Sequence, residues 1–345
     1  MGTDWSRYDE SDAKVRPGRG SRPRSKRRPT HDHAIDATVV AVDRGRYTVR
    51  TAEGVTVMAV KSRELGRRGL VVGDAVGVVG DTSGTDDTLA RIVRRDERAS
   101  ALRRTADDTD TTERVVVANA DQLAIIAALA DPEPNVRMID RCLVAGFDAG
   151  LSMVLVLTKA DLADATALRG MYEPLGVTVI ECSVKREGGP EADPGFQVLR
   201  EALRDVRTVL VGPSGVGKST LVNALVPGTD RAIGRVNDVT GRGRHTSTSS
   251  LMLEVPGGGW IIDTPGVRSF GLAHVDPEHF LLAFPDVADW AAAHCPRGCQ
   301  HVSAEDGCAL DAWAASPEPS VAADRAVTLD SIRRLLVSRA AGDTY

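Results

Sequence analysis

Eight consecutive residues, Gly212-Pro213-Ser214-Gly215-Val216-Gly217-Lys218-Ser219, carry the densest chemical signal in the sequence. Glycines at these intervals let a backbone curl its N–H groups around a phosphate, a lysine neutralises β/γ charge, and the Ser219 hydroxyl is placed to coordinate Mg²⁺. The run follows the apolar stretch Thr208 to Val211 and precedes a helical pattern, Thr220 to Leu225, which is the strand–loop–helix context such a cradle requires.

A phosphate cradle does not distinguish adenine from guanine, so the base must be read elsewhere. Thr158-Lys159-Ala160-Asp161 ends another apolar run, Met153 to Leu157. A carboxylate there can accept from both the N1–H and the exocyclic amine of guanine, a donor pair that adenine lacks. The Lys159 stem can lie across a purine face. Ser183-Val184-Lys185, after Val177 to Ile180, would cover the base edge with backbone N–H groups. Alone, a Lys and an Asp after a strand would equally suit a helix cap with a solvated charge.

Asp263-Thr264-Pro265-Gly266 follows Trp260 to Ile262. Asp263 can hold Mg²⁺ through water, and the Gly266 N–H can sense a γ-phosphate. Between this motif and the cradle lies Gly241-Arg242-Gly243-Arg244-His245-Thr246-Ser247-Thr248, rich in glycine and hydroxyls. It suits a loop that orders when a hydroxyl finds Mg²⁺. Position 267 is Val, where Ras-type enzymes use Gln to orient water. His245 is the candidate for that catalytic task, or stands idle in solvent.

Cys295, Cys299, His301 and Cys308 offer three thiolates and an imidazole within fourteen residues, a ligand set for one structural Zn²⁺. His294, beside Cys295, is an alternative imidazole, although the Cys-x-His spacing favours His301. Cys142 falls in an apolar helical pattern and reads as a small core residue.

These residues need elements to hold them. From Ala34 to about Arg98, short alternating runs at Ala37 to Val42, Arg46 to Thr51 and Val55 to Ala59, punctuated by glycines, predict a small β-barrel of OB or SH3-like form. A polar linker, Thr105 to Thr112, follows. Val115 to Val117, Leu123 to Leu129, Met153 to Leu157, Val177 to Ile180, Thr208 to Val211 and Trp260 to Ile262 then alternate with helical spacing at Met138 to Phe147 and Gln197 to Leu203, the pattern of a parallel sheet covered by helices. From Pro277 the chain reads as a small helical appendage stapled by the Cys/His cluster.

The 345 residues, 42% of them hydrophobic, suffice for two or three domains, and the net charge of -5 hides a cluster of eight Lys and Arg between Lys14 and Arg28. That stretch is expected to be a disordered basic arm that attracts nucleic acid. No apolar run approaches the ~20 residues that span a bilayer, and no signal-peptide core stands at the start, so a cytoplasmic protein with no membrane partner is expected.

The order of the motifs, with the Thr-Lys-Ala-Asp base reader upstream of the phosphate loop, is that of a circularly permuted P-loop domain. With the terminal Cys/His cluster it resembles the RsgA family of circularly permuted, ribosome-dependent GTPases over nearly the whole chain. The resemblance implies a multidomain fold: an arm (1–33), an N-terminal OB-fold barrel on rRNA (34–104), a central α/β GTPase domain (113–275) and a C-terminal helical zinc domain (276–345). It implies a monomer that hydrolyses GTP to GDP with Mg²⁺ on the 30S subunit and its 16S rRNA, late in subunit maturation. By the same resemblance Gly212 to Thr220 grip phosphates, Thr158, Lys159 and Asp161 read guanine, the four Cys/His residues bind zinc, and Ser247 aligns best as the second Mg²⁺ hydroxyl, with Thr246 and Thr248 as alternatives. Two departures stand out. Thr158 replaces the usual Asn, which is expected to cost a bridge to the phosphate loop, and the zinc ligands are spaced Cys-x₃-Cys and His-x₆-Cys instead of Cys-x₄-Cys and His-x₅-Cys.

Overall fold

Alternation of apolar and polar residues sets the first five strands: β1 (Ile35–Asp43), β2 (Arg46–Thr51), β3 (Thr56–Lys61), β4 (Ala75–Val79) and β5 (Ala90–Arg95). In this computed structural model the described residues are 31, 33–43, 45–66, 69–85, 88–104, 114–228, 250–264, 270, 272, 275–305 and 307–340. The basic arm, the linker, the 241–248 loop with His245 and Ser247, Gly266 and Val267 lie outside them. The five strands close in the order β1-β2-β3-β5-β4-β1, with β3 and β5 parallel. That is the Greek-key OB barrel, which resolves the choice left open by the sequence. Val39, Val49, Ala59, Val76, Val78 and Ile92 fill its interior.

Strand β6 (Ala101–Arg104) pairs antiparallel with β7 (Arg114–Ala118) in a separate two-stranded ribbon. Residues 115–117 therefore do not join the parallel sheet, contrary to the sequence expectation. The reason is local. β7 is fully buried only at its last two residues, and Asn119, at φ 53°, turns the chain before the next strand. The Asn119 side chain accepts from Ala99 N–H (2.8 Å) and donates to the Gly73 carbonyl (2.8 Å), tying the turn to the barrel. Gly73 is required there, since an added Cβ would lie 1.9 Å from the Ala118 carbonyl oxygen. Beside it the fully buried Asp74 receives two hydrogen bonds from Arg98, at 2.6 and 2.9 Å.

The main sheet runs β10-β9-β8-β11-β13-β12, with β8 (Gln122–Ala128), β9 (Ser152–Thr158), β10 (Thr178–Cys182), β11 (Arg207–Val211) and β13 (Trp260–Asp263) parallel and β12 (Leu251–Glu254) antiparallel at its end. Its central strands are near-continuous apolar runs because both faces are covered. Side chains alternate between two clusters. Leu123, Ile125, Leu155, Leu157 and Val209 face α1 (Val136–Asp148) and α2 (Thr166–Tyr172). Ala124, Ile126, Val154, Val156 and Leu210 face α3 (Pro194–Ala202) and α4 (Lys218–Leu225). β12 also pairs with β1 at Ala41 and Leu251, so the barrel and the parallel sheet are continuous.

The C-terminal helices are α5 (Pro277–Leu281), α6 (Pro285–His294), α7 (Leu310–Ala314) and α8 (Pro319–Ala340). They share the α1-side core: Phe280, Trp313, Ile332 and Leu335 belong to the same cluster as Ile139 and Leu143. Two adjacent buried residues of α1 hold α8. Asp140 accepts from the Tyr172 hydroxyl (3.0 Å) and from Arg334 Nε (3.1 Å), and Arg141 donates to the Ser338 carbonyl (3.3 Å). Arg141 also donates to the Phe270 carbonyl at 2.8 Å. The appendage expected from sequence is thus built into the larger core, which reduces its dependence on the metal cluster alone.

Candidate functional site

The carboxyl ends of parallel strands are where α/β sheets place ligands, because the loops leave there and helix N-termini point back. Here the β9 loop supplies Thr158, Lys159 and Asp161, the β10 loop supplies Ser183, Val184 and Lys185, and the β11 loop supplies Gly212, Pro213, Ser214, Gly215, Gly217, Lys218, Ser219 and Thr220. All line one cavity of about 700 Å³. Ala160 and Val216 hold the loops without lining it. The Ala160 N–H donates to the Cys182 carbonyl (3.3 Å), and Val216 is buried.

The phosphate side is built as its glycines require. Gly215 and Gly217 sit at φ 84° and 91°, the left-handed region that costs L side chains most. An added Cβ at Gly212 would lie 2.5 Å from the Ile126 carbonyl oxygen. Gly217 leads directly into α4, so the first N–H groups of the helix face the loop. Lys218 Nζ pairs with the carboxylate of Asp263, at the end of β13. The Thr264 hydroxyl, buried, donates to the Leu210 carbonyl (2.9 Å) and pins the chain leaving β13 to the strand beneath the cradle.

On the base side, the Ser183 hydroxyl donates to Asp161 Oδ1, and this bond holds the carboxyl below the usual carboxylate range, with Arg186 adding a smaller push in the same direction. Asp161 is ionised at neutral pH, the state needed to accept two donors. Lys159, in the left-handed region at φ 57°, donates to the Asp131 carbonyl. The Thr158 hydroxyl lies 2.5 Å from the Val216 carbonyl and 3.3 Å from that of Ala127, so its proton bridges the base-reading and phosphate loops. The bridge expected to be lost with the Asn is made here by a hydroxyl.

Leu162, exposed at 59% yet lining the cavity, was not singled out from the sequence, nor was Thr264 given a role. An apolar residue directly after Asp161 was the available signal for Leu162. For Thr264 the sequence holds none, because its partner is 54 residues away.

Cys295, Cys299, His301 and Cys308 come together at the end of α6 and the start of α7, with one ligand atom from each lying within 4.8 Å of every other. Tetrahedral thiolate ligands at ~2.3 Å from an ion would stand ~3.8 Å apart, so the set fits a small four-coordinate cation after a slight contraction. Burial lowers the His301 pKa, keeping its imidazole neutral and its lone pair free to coordinate. His294 turns away, with its ring stacked on Trp290 at 4.1 Å and Nδ1 3.0 Å from the Trp290 carbonyl oxygen. Burial pushes the Cys142 and Cys182 thiols up to about 12, which leaves both as inert core residues.

The RsgA GTPase family profile matches residues 95–273. The chain is 40% identical over 248 residues to the small ribosomal subunit biogenesis GTPase RsgA of Pseudomonas aeruginosa (strain LESB58), covering 70% of this chain and 69% of that protein. It is 35% identical over 303 residues to the protein of the same name from Chlorobaculum tepidum, covering 84% and 94%. The chain belongs to the RsgA GTPase family. Two solved structures share the fold: YjeQ from Thermotoga maritima (TM-score 0.58, 23% identity, 86% of this chain and 98% of that one) and YloQ, a circularly permuted GTPase (TM-score 0.59, 21% identity, 91% and 98%). The expected recognition and fold class, an OB barrel, a permuted GTPase sheet and a helical C-terminal region with a Cys/His cluster, are therefore borne out.

Within this RsgA-family site the Thr158 bridge gives a direct test. A buried hydrogen bond lost with its acceptor left behind costs ~1–2 kcal/mol, or a factor of about 5–30 in affinity. Thr158→Val is expected to weaken GDP binding by that factor in a fluorescent-nucleotide titration, and Thr158→Asn to stay within about threefold of the parent.

Proposed function

We propose that this RsgA-family chain hydrolyses GTP to GDP on the small ribosomal subunit and acts in the late maturation of that subunit. The observation that carries the reading is the convergence of base-side and phosphate-side loops on a single cavity. The Lys159 stem lies along the purine, Asp161 accepts from its N1–H and 2-amine, and the Ser183-Val184-Lys185 backbone closes the base edge. The loop from Gly212 to Thr220 wraps the phosphates, and Lys218 exchanges its Asp263 partner for β/γ oxygens. Ser219 and Ser247, with Asp263, would hold Mg²⁺, which when bound would supply neutralisation of the charge on the phosphates. Gly266 senses the γ-phosphate. With Val at 267, His245 is assigned the task of orienting the attacking water.

Zinc is the cation assigned to Cys295, Cys299, His301 and Cys308, in a structural role because four protein ligands leave no open position. The partners assigned are the 30S subunit and its 16S rRNA, met by the barrel and the basic arm, with the chain acting as a cytoplasmic monomer. Relatives named for small ribosomal subunit biogenesis support that partner. No helix among the described residues is long and apolar enough to cross a membrane.

Multiple-turnover GTP hydrolysis, measured with and without 30S subunits, tests the reading. Stimulation of at least about tenfold is expected, on the scale by which a positioned group lowers a phosphoryl-transfer barrier. Equal and negligible turnover in both would mean a nucleotide-gated RNA-binding module instead. The purified chain is also expected to carry about one equivalent of zinc, the capacity of one four-ligand site. Cys299→Ser should lose that metal and lower the thermal midpoint, while GDP affinity stays within about threefold because the cluster does not line the nucleotide cavity.

A further inference from the structure

The loop that covers the base edge is held from behind by a residue outside every nucleotide-binding motif. Asp193 is 4% exposed, and its two carboxylate oxygens have separate tasks. Oδ1 accepts from the Phe196 N–H (2.8 Å) and caps α3. Oδ2 accepts from the Ser183 N–H (3.1 Å). Ser183 in turn directs its hydroxyl at Asp161.

The surroundings leave this carboxylate little freedom. Pro194 fixes the first residue of α3, and Gly195 brings the helix so close to β10 that an added Cβ would lie 1.6 Å from the Glu181 carbonyl oxygen. Helix start and strand end are thus locked together, with Asp193 joining them. An ordinary helix cap needs only one oxygen, and a serine, threonine or asparagine serves as well. The second oxygen, spent on the first residue of the base-edge loop, is what a cap alone does not explain.

We propose that Asp193 is a positioning residue for guanine discrimination: by holding the Ser183 N–H it fixes the hydroxyl that orients Asp161, and so sets how strongly the site prefers guanine over adenine. The proposal rests on the assignment of Asp161 as the guanine reader. Its signature is selective. Loss of Asp193 should weaken guanine nucleotides while leaving the phosphate cradle, 19 or more residues further along the chain, unaffected.

The test compares GDP and ADP affinities of the full-length chain and its Asp193→Ser, Asp193→Asn, Ser183→Ala and Ser183→Ala/Asp193→Ser variants, with thermal midpoints recorded for each. Serine retains a cap for α3 but has a single short oxygen, so it drops the Ser183 contact; asparagine, which keeps one acceptor oxygen in the same shape, covers the case in which the serine variant fails to fold. GDP affinity is expected to fall about five- to tenfold in each single variant with ADP unchanged, and the double variant to lose no more than Ser183→Ala alone, because the two residues act through one contact. Additive losses in the double variant, or unchanged GDP affinity with only a lowered thermal midpoint, would overturn the proposal and leave Asp193 as a helix cap. Asp161→Ala separates the premise from the inference. If that variant keeps the preference for GDP over ADP, the guanine-reading assignment itself fails, and the role of Asp193 fails with it.

Discussion

The parallel pairing of β8 with β11 is the constraint on which the site depends. Residues 208–211 lie in register with 122–125, and the Thr208 hydroxyl donates to the Gln122 side-chain oxygen at 3.0 Å across the pair. The strand that leads into the 212–220 loop is thereby separated by a single strand from β9, which leads into the 158–161 loop. Neighbouring strands are ~4.8 Å apart, so the two loops start about 10 Å from each other, within reach of one nucleotide. Sequence order is irrelevant to this arrangement. A parallel sheet brings every strand end to the same edge whichever strand comes first in the chain, and the Thr158 hydroxyl closes the remaining gap by bonding across to Val216.

The permuted order decides what lies next to the nucleotide. β12 follows the 229–249 segment and is joined to the barrel through β1, with Arg50 reaching Glu254 at 2.6 Å and lying 5.4 Å from the centre of the Trp260 ring. Phe270 follows the Asp263-to-Gly266 motif, and its carbonyl is held by the buried Arg141, which also holds the end of α8. The exits of the two expected switches are thus the positions tied to the barrel and to the C-terminal helix. Under the proposed function, these ties among the described residues are routes by which nucleotide state would act on both surfaces, because interfaces packed this closely rearrange as units.

Much of the site was legible in the sequence, since its chemistry is carried by short contiguous runs. Glycines that need φ above zero, a lysine and hydroxyl at fixed offsets, and a Cys/His set all announce themselves locally. The barrel strands were legible from their alternation, but the parallel β3–β5 pairing that makes it an OB fold was not. Pairing partners are likewise invisible in an apolar run, which is why 115–117 was assigned to the wrong sheet. β12 is four residues long beside a polar segment and left no pattern to read. The shared core of α1 and α8 and the buried Arg141 depend on contacts between residues far apart in the chain, and no local spacing encodes them. The Thr158 departure read as a loss because a one-residue comparison does not reveal where a hydroxyl lands.

What unites these features is a single cavity lined by both loops, in which the proposed function gives the Asp161 carboxylate the base and the 212–220 loop the phosphates. The most direct measurement is the affinity of Asp161→Asn for guanine and xanthine nucleotides. An amide in place of the carboxylate exchanges one acceptor for a donor, so GDP binding should fall on the order of 100-fold while xanthosine diphosphate binds in its place. Unchanged preference for GDP in that variant would contradict the account, because Asp161 would then not be the group that reads the base.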